Sequence, residues 1–327
     1  MRVAVLAIAA GLDYWIGDPK AWPHPVQAMG WGIGRYSRWA LQSFSSPRSQ
    51  RWAGVFLAAI AIAGSGGIAW ALGQVAASWH WWAGAGLESV LLASCFAGRS
   101  LRDAARDVLQ PLQAGDLLAA RSRLSQYVGR DTDKLPTEEV LRAVLETVTE
   151  NATDGVMAPL FYGVLGSAIP GIGALPLTFA YKAASTLDSM VGYREAPYTY
   201  LGWCSAKVED ALTWLPCRLT VLTVALLSGT PQRVLRICQR DAIADPSPNA
   251  GWSECAYAAA LGVQMGGINW YRGKIEEKPR LGDAVHPIRP EDVQRALQLT
   301  RYSFLIWLLI AIATIGFLSG SLPFLPN

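Results

Sequence analysis

The stretch TVTENATDGVMAPLFYGVLGSAIPGIGALPLTFAYKAASTLDS, residues 147–189, decides how the chain is read. Its middle is apolar but is broken by Pro170-Gly171-Ile172-Gly173 and again by Pro176. Glu150, Asn151 and Asp154 precede the apolar part, and Lys182, Ser185, Thr186 and Asp188 follow it. Ionisable groups crowding both ends of an apolar segment suggest a reaction centre held at a membrane surface. In a bilayer, broken backbone is tolerated only where protein or water supports it. A re-entrant hairpin meets that condition and brings the chain back to the side it left, so that Glu150 and Asp154 share a face with Lys182 and Asp188. A single span would put them on opposite faces.

Composition agrees with a membrane setting. Of 327 residues, 52% are hydrophobic and only 16% charged, against roughly a quarter charged in soluble domains. Mean hydropathy is +0.23, and there are fourteen Trp. A net charge of +3 is mild and does not indicate a nucleic-acid partner. No cleavable signal peptide is convincing, because Asp13 interrupts the first apolar run. Cys95, Cys204, Cys217, Cys238 and Cys255 are scattered without a CxxC, and read as reduced thiols.

Six stretches are expected to span or insert: 2–17, 52–78, 83–98, 156–181, 211–229 and 303–322. The first is short for the about 20 residues a span needs, with Asp13 at the membrane edge, Tyr14 and Trp15 at the interface and Asp18-Pro19 ending the helix. Residues 52–97 read as a helical hairpin with its tip at Trp79-His80-Trp81-Trp82, an aromatic-belt signature. Arg48 and Arg51 on one flank and Arg99, Arg102 and Arg106 on the other place both ends on the cytoplasmic side. In residues 211–229, Pro216 and Arg218 interrupt the apolar run. The uncharged C-terminal tail suits the outer side.

The polar segments read as helices and loops. Residues 99–128 form an amphipathic surface-lying helical pair divided by Pro111 and Gly115. Pro136 opens a helix with Glu138 and Glu139 in its first turn. A helix is expected to start near Trp252, capped by Ser247 or Asn249. Residues 271–290 read as a basic, solvated loop, and 294–301 as a helix preceding the last span.

No P-loop, HExxH, CxxC or GxSxG occurs, so any nucleotide must be held by dispersed side chains. Gly30, Gly32 and Gly34 form a GxGxG that suits close helix packing better than a phosphate loop. Glu146, Glu150 and Asp154 fall at i, i+4, i+8 on one helical face. Like charges at that spacing repel, and no Lys or Arg lies between Arg142 and Lys182. Either the face is simply solvated or a cation compensates it, and Mg²⁺ is the leading candidate because it prefers hard oxygen ligands. Arg130, Lys182, Lys207 and Arg240 are the anion-contact candidates. Glu150, Asp154, Asp188, Asp210, Asp241 and Glu254 are the cation-contact candidates. His24, between Pro23 and Pro25, has three readings: metal ligand, proton carrier or loop pin. The last comes first on the local sequence alone.

Seven segments together resemble the CbiB/CobD family of cobalamin-biosynthesis membrane proteins, the adenosylcobinamide-phosphate synthases. They are Leu12-Asp13 with Gly17-Asp18-Pro19 and His24-Pro25; GRDT at 129–132; ETVTENATD at 146–154; KAASTLDSMVG at 182–192; Arg240-Asp241; SPNAG at 247–251; and ALGVQMGG at 260–267. They cover nearly the whole chain in the expected order. The resemblance implies one all-α domain over 1–327, a polytopic integral membrane protein of helical hairpins, re-entrant or broken helices and cytosolic helical loops. It would sit in the cytoplasmic (inner) membrane with its active site facing the cytosol.

The implied activity is ATP-dependent amide ligation, joining 1-aminopropan-2-ol or its phosphate to the free propionate carboxyl of adenosylcobyric acid through an acyl phosphate. ATP and Mg²⁺ are the implied cofactors and the corrinoid is a substrate. The implied partners are the lipid bilayer, other membrane-associated late enzymes of the B12 pathway and further copies of the chain. On chemical grounds Glu150, Asp154 and Asp188 are assigned to Mg²⁺, with Arg130, Lys182, Lys207, Arg240 and Asn249 to the nucleotide. Asp13 and His24 are candidates to take the amine proton, and Asp154 and Lys182 are placed in the catalytic set. Two other readings compete. An AmpE-like membrane sensor would not need the full carboxylate and lysine set. A transporter, prompted by Glu88, Arg218 and the broken segments, would string polar residues across membrane depth.

Overall fold

A computed structural model describes residues 2–18 and 24–321. Pro19, Trp22, Pro23 and the tail from Leu322 on, all used in the sequence reading, lie outside the described residues. The chain runs α1 (Arg2–Trp15), α2 (Pro25–Ser43), α3 (Pro47–Trp79), α4 (Trp81–Ala93), α5 (Gly98–Gln113), α6 (Leu117–Leu124) and α7 (Thr137–Asn151). A π-helical turn (Ala152–Met157) leads into α8 (Ala158–Ala168), α9 (Ala174–Val191), α10 (Trp203–Leu227) and α11 (Pro231–Asp241). Then come α12 (Ala250–Leu261), β1 (Met265–Tyr271), β2 (Lys274–Leu281) and α13 (Pro290–Ser321). The chain divides into two compact units, the first from residues within 1–99, 158–212 and 305–327, the second from 100–157 and 213–304.

Among the described residues, three helices are long and apolar enough to cross a membrane, those starting at Pro47, Trp203 and Pro290. The protein is therefore a multi-pass membrane protein. Helix α3 shows why the first unit suits lipid. Ser46 caps it through the Ser49 N–H (3.1 Å) and Pro47 opens it. Its inward face is mostly small, with Ala53, Gly54, Ala58, Gly66, Ala69 and Gly73 buried and Leu57 the one large buried side chain. Its outward face is large, with Trp52, Phe56, Ile60, Ile68 and Leu72 exposed. Lipid gives no hydrophobic drive to bring helices together, so small residues that admit a neighbouring backbone do that work. A Cβ on Gly54 would sit 2.0 Å from the Leu201 carbonyl oxygen, and one on Gly66 3.0 Å from that of Pro176.

The decisive stretch folds back. Tyr162 stacks on Tyr181 with ring centroids 4.9 Å apart. A Cβ on Gly166 would meet the Gly173 carbonyl oxygen at 2.2 Å. These pairings make α8 and α9 an antiparallel hairpin, so Ala158 and the Lys182 region lie toward the same end of it. The break is supported by protein, as the bilayer requires. Trp70 Nε1 donates to the Gly171 carbonyl (3.3 Å), and Glu88 Oε1 lies 3.5 Å from where a Gly173 Cβ would be. Glu88 thus packs against the break, within the first unit.

Several expectations change. Residues 271–290 are not simply a loop: β1 and β2 pair antiparallel through the tip Arg272-Gly273. A Gly273 turn between β-prone residues, Ile268 and Trp270 before it and Ile275 after it, is a hairpin signal that the basic composition hid. Pro216 does not interrupt α10, which is one helix of 25 residues. The proline removes a single donor, which a long helix tolerates. Likewise, 294–301 and the last span form one helix, α13. Helix α12 begins at Ala250 rather than near Trp252, and Ser247 Oγ accepts from Ala250 N (3.1 Å), whereas Asn249 makes no side-chain cap bond.

Candidate functional site

The second unit concentrates buried charge around α7, and local sequence explains how. Pro136 precedes α7, and Glu138 and Glu139 in its first turn complement the helix dipole. The β-hairpin lies against the helix because Arg142 reaches it. Arg142 Nη1 donates to the Gly266 carbonyl (2.6 Å), and Nη2 donates to the Ile268 carbonyl (3.0 Å) and to Asn269 Oδ1 (3.0 Å). One turn on, buried Glu146 accepts from Arg142 Nη1 (2.9 Å), from Gly266 N–H (2.8 Å) and from Arg130 Nη2. Burial alone would raise the Glu146 pKa, but Arg130, Arg142 and the Gly266 N–H together hold it below the usual value. The GRDT loop is tied to the hairpin as well: Asp131 N–H donates to the Trp270 carbonyl (2.7 Å), and the Asp131 carboxylate accepts from Arg272 and Gly273 N–H (3.0 and 2.7 Å).

A second layer lies beside it. Glu150, one turn beyond Glu146, feels Lys278, Asp245, Glu146 and Arg130. Glu254 on α12 is 4% exposed and feels Glu150, Glu146, Lys278 and Asp245. Burial, then Asp245 and Glu146, push Glu150 up against the opposing pull of Lys278 and Arg130. Burial, then Glu150 and Glu146, push Glu254 up further. Burial alone would lower Lys278, but Glu254 and Glu150 more than reverse it. Carboxylates in excess of cations at a buried site favour retaining a proton or recruiting a cation.

Asp154 does not continue the stripe. The π turn at Ala152–Met157 inserts extra backbone per turn and rotates it away from the i, i+4, i+8 line. Ser253 holds this turn: its Oγ donates to the Thr149 carbonyl (2.6 Å) and lies 2.8 Å from Thr153 Oγ1. A side chain from α12 thereby takes a carbonyl at the junction where the regular ladder changes.

The other candidates sit as follows. Arg240 is exposed and its guanidinium is committed to Asp241 (2.5 and 2.8 Å) and Asp283 (2.8 Å). Asn249 is buried in the SPNAG loop, where its carbonyl accepts from Cys217 Sγ (3.3 Å). Asp188 and Lys182 are half-buried on α9 in the first unit. Lys182 and Asp18 both act electrostatically on Cys95. His24 bonds Asp18 through Nε2 (3.0 Å) and caps α2 by accepting from Val26 N–H at Nδ1 (3.3 Å). That is the loop-pinning arrangement. Buried Asp13 accepts from Arg99 N–H (3.3 Å) at the start of α5. Lys207 pairs with Asp210 (3.3 Å).

Sequence reasoning missed Lys278 and Asn269, which the hairpin carries to α7, and although it counted Glu254 with Glu150 among the cation contacts it left Glu254 out of the Mg²⁺ set. The Gly273 turn was the one available signal for the hairpin. Among the described residues, no three His, Cys, Asp or Glu side chains converge as a metal-ion cage. Mg²⁺, however, characteristically takes one or two carboxylates and completes its shell with water and phosphate. Glu150 and Glu254 supply that donor type. Arg130 Nη1, a buried donor with no hydrogen-bond partner, suits an anionic group.

Comparison with known proteins places these residues in context. A family model described as CobD/Cbib protein matches residues 6–300. A Synechocystis protein named cobalamin biosynthesis protein CobD is 48% identical over 315 residues, covering 96% of this chain and 92% of its own. Cobalamin biosynthesis protein CbiB of Salmonella typhimurium is 39% identical over 324 residues, covering 98% and 99%. The CobD protein of Citrobacter koseri is 40% identical over 325 residues, covering 98% and 100%. No solved structure matches.

Proposed function

The chain belongs to the CobD/CbiB family, and from that premise we propose that it is a cobalamin-biosynthesis enzyme joining an aminoalcohol, 1-aminopropan-2-ol or its phosphate, to the free propionate carboxyl of adenosylcobyric acid. The near full-length match to proteins whose names state cobalamin biosynthesis carries this reading. A carboxylate is a poor electrophile, so the ligation draws on ATP, with the carboxyl activated as an acyl phosphate before the amine attacks. Such chemistry depends mainly on positioning and on charge stabilisation.

The chain's own groups are suited to those tasks. Glu150 with Glu254 would hold Mg²⁺, which when bound supplies charge neutralisation on phosphate oxygens, and Asp154 and Asp188 are each kept as separate candidate ligands. Arg130 Nη1, Lys278 and Lys182 would face anionic oxygens, with Lys207, Arg240 and Asn249 as further nucleotide contacts. Asp13 and His24 are the candidate acceptors for the proton that the attacking ammonium must lose. The site faces the cytosol, where ATP is available, in the cytoplasmic membrane, where other late enzymes of the pathway and further copies of the chain would be neighbours.

The test is amide formation by the purified protein from adenosylcobyric acid, aminoalcohol phosphate and Mg-ATP. Product is expected from the wild type, with rates at least about 100-fold lower for Asp154→Ala and Lys182→Ala. No product from well-folded wild type would end the ligase reading and favour an AmpE-like regulator. Full activity in both variants would end the site assignment alone.

A further inference from the structure

The second unit contains a groove that none of the assigned residues lines. It lies between the hairpin β1–β2, the start of α7 and the loop before α13, and its volume is about 980 Å³. That is the upper end of the roughly 300–1,000 Å³ typical of small-molecule sites. An aminoalcohol would occupy a small fraction of it. Its apolar walls are Leu135, Pro136, Ile268, Trp270, Pro287 and Ile288. Trp270 and Ile268, both on the outward face of β1, are 45% and 57% exposed. They offer a broad apolar platform that the second unit does not cover with its own side chains. At Gly267, φ is +93° and a Cβ would meet nothing within 4 Å, so bare backbone is open there.

The charges in the groove argue against a polyphosphate. Arg142 is engaged by Glu139, Glu146 and the hairpin carbonyls. The Asp131 carboxylate is taken by two backbone N–H groups. His286 is taken by the Pro287 and Leu261 carbonyls (2.9 and 3.0 Å). What remains is Lys134 and Arg280 set against Asp133 and Glu138, an even balance. A triphosphate calls for a clear excess of donors and positive charge. A large, mostly uncharged ring system fringed with amides calls for an apolar platform and scattered polar groups of both signs, which this groove supplies. Arg142 both lines the groove and bonds Glu146, so the groove abuts the buried charge cluster.

We propose that this groove seats the corrin ring of the substrate, with the platform of Trp270 and Ile268 under the macrocycle. The proposal rests on the cobalamin reading above and adds to it where the ring binds.

The test uses the full-length protein in detergent and cobyric acid as probe, its visible absorption reporting bound corrinoid in equilibrium dialysis. Trp270→Ala and Ile268→Asp are expected to weaken cobyric acid binding at least about 10-fold and to raise the corrinoid KM in step, with the ATP KM within about twofold. Trp270→Phe is expected to restore most of the affinity, which separates a ring platform from a merely structural role. Ile243→Asp, at a more exposed position of the same unit that does not line the groove, is expected to bind as the wild type does. Wild-type corrinoid affinity and KM in both groove variants would overturn the proposal and leave the ligase reading standing. A rise in ATP KM instead would make the groove a nucleotide site and overturn it equally. Wild-type protein that neither binds cobyric acid nor forms amide would remove both.

Discussion

Replacing Glu146 by Ala tests whether the second unit is held together by its buried ion network. The carboxylate is 3% exposed and receives two guanidiniums and one backbone N–H. Removing it leaves Arg130 and Arg142 buried without their shared counter-charge. Breaking a buried pair from one side costs about 3–5 kcal/mol, a large part of a total stability of roughly 5–15 kcal/mol. At about 2–4 °C per kcal/mol for a chain of this order of size, the midpoint should fall by roughly 6–20 °C. Tryptophan fluorescence during thermal unfolding in detergent reads this directly. Glu146→Gln, which keeps the shape and one acceptor, should fall between the two. Arg130→Ala combined with Glu146→Ala should cost less than the sum of the single changes, by about 0.5–3 kcal/mol, because each single change strands a partner. A Glu146→Ala midpoint within about 2 °C of wild type, or strict additivity in the double variant, would refute the reasoning.

Other outcomes follow from the same structure. Glu146 has a lowered folded pKa, so its stabilisation is present above the unfolded carboxyl range near 4.3 and is lost as pH falls through the folded value. Glu254 has a raised one, so its favourable contribution is full below that range and disappears as pH rises through the folded value. Glu254→Gln should therefore raise the unfolding midpoint at pH 8 and flatten its dependence on pH; an unchanged pH profile would count against a strained Glu254. Gly266 has φ +84°, and a Cβ there would lie 1.9 Å from the Pro279 carbonyl oxygen. Gly266→Ala should cost at least about 1–2 kcal/mol and open the hairpin, seen as faster amide exchange in 265–281. Ile68→Arg on the exposed face of α3 should carry an insertion penalty of about 2.5–3.5 kcal/mol and reduce the membrane-integrated fraction, while Ile68→Leu should not. Single cysteines at Phe161, half-buried near the start of α8, and at exposed Ser189 should label from one membrane side, since the α8–α9 hairpin returns; labelling from opposite sides would contradict it.

Much of the fold was legible in the chain before any coordinates. Composition and the apolar run starting near Trp52 require a membrane, because such a surface cannot be hidden in a small soluble core. Pro170-Gly171-Ile172-Gly173 points to a break, because Pro and Gly crowded into four residues weaken a helix, whereas that the chain turns back there rather than crossing rests on the packing of α8 against α9. Local rules also place Glu146 and Glu150 on one face, one helical turn apart. Tertiary packing decided which groups complete that face. The π turn depends on Ser253, about a hundred positions away in the chain, and it turns Asp154 out of the stripe that a regular helix would have continued. Glu254 and Lys278 join Glu150 only because α12 and the β-hairpin both dock on α7, and no spacing rule reaches across such separations. Arg130 reads in the sequence as an anion contact, and nothing local ties it to Arg142; only tertiary packing buries both beside Glu146, because a guanidinium withdrawn from water must find its counter-charge inside the protein.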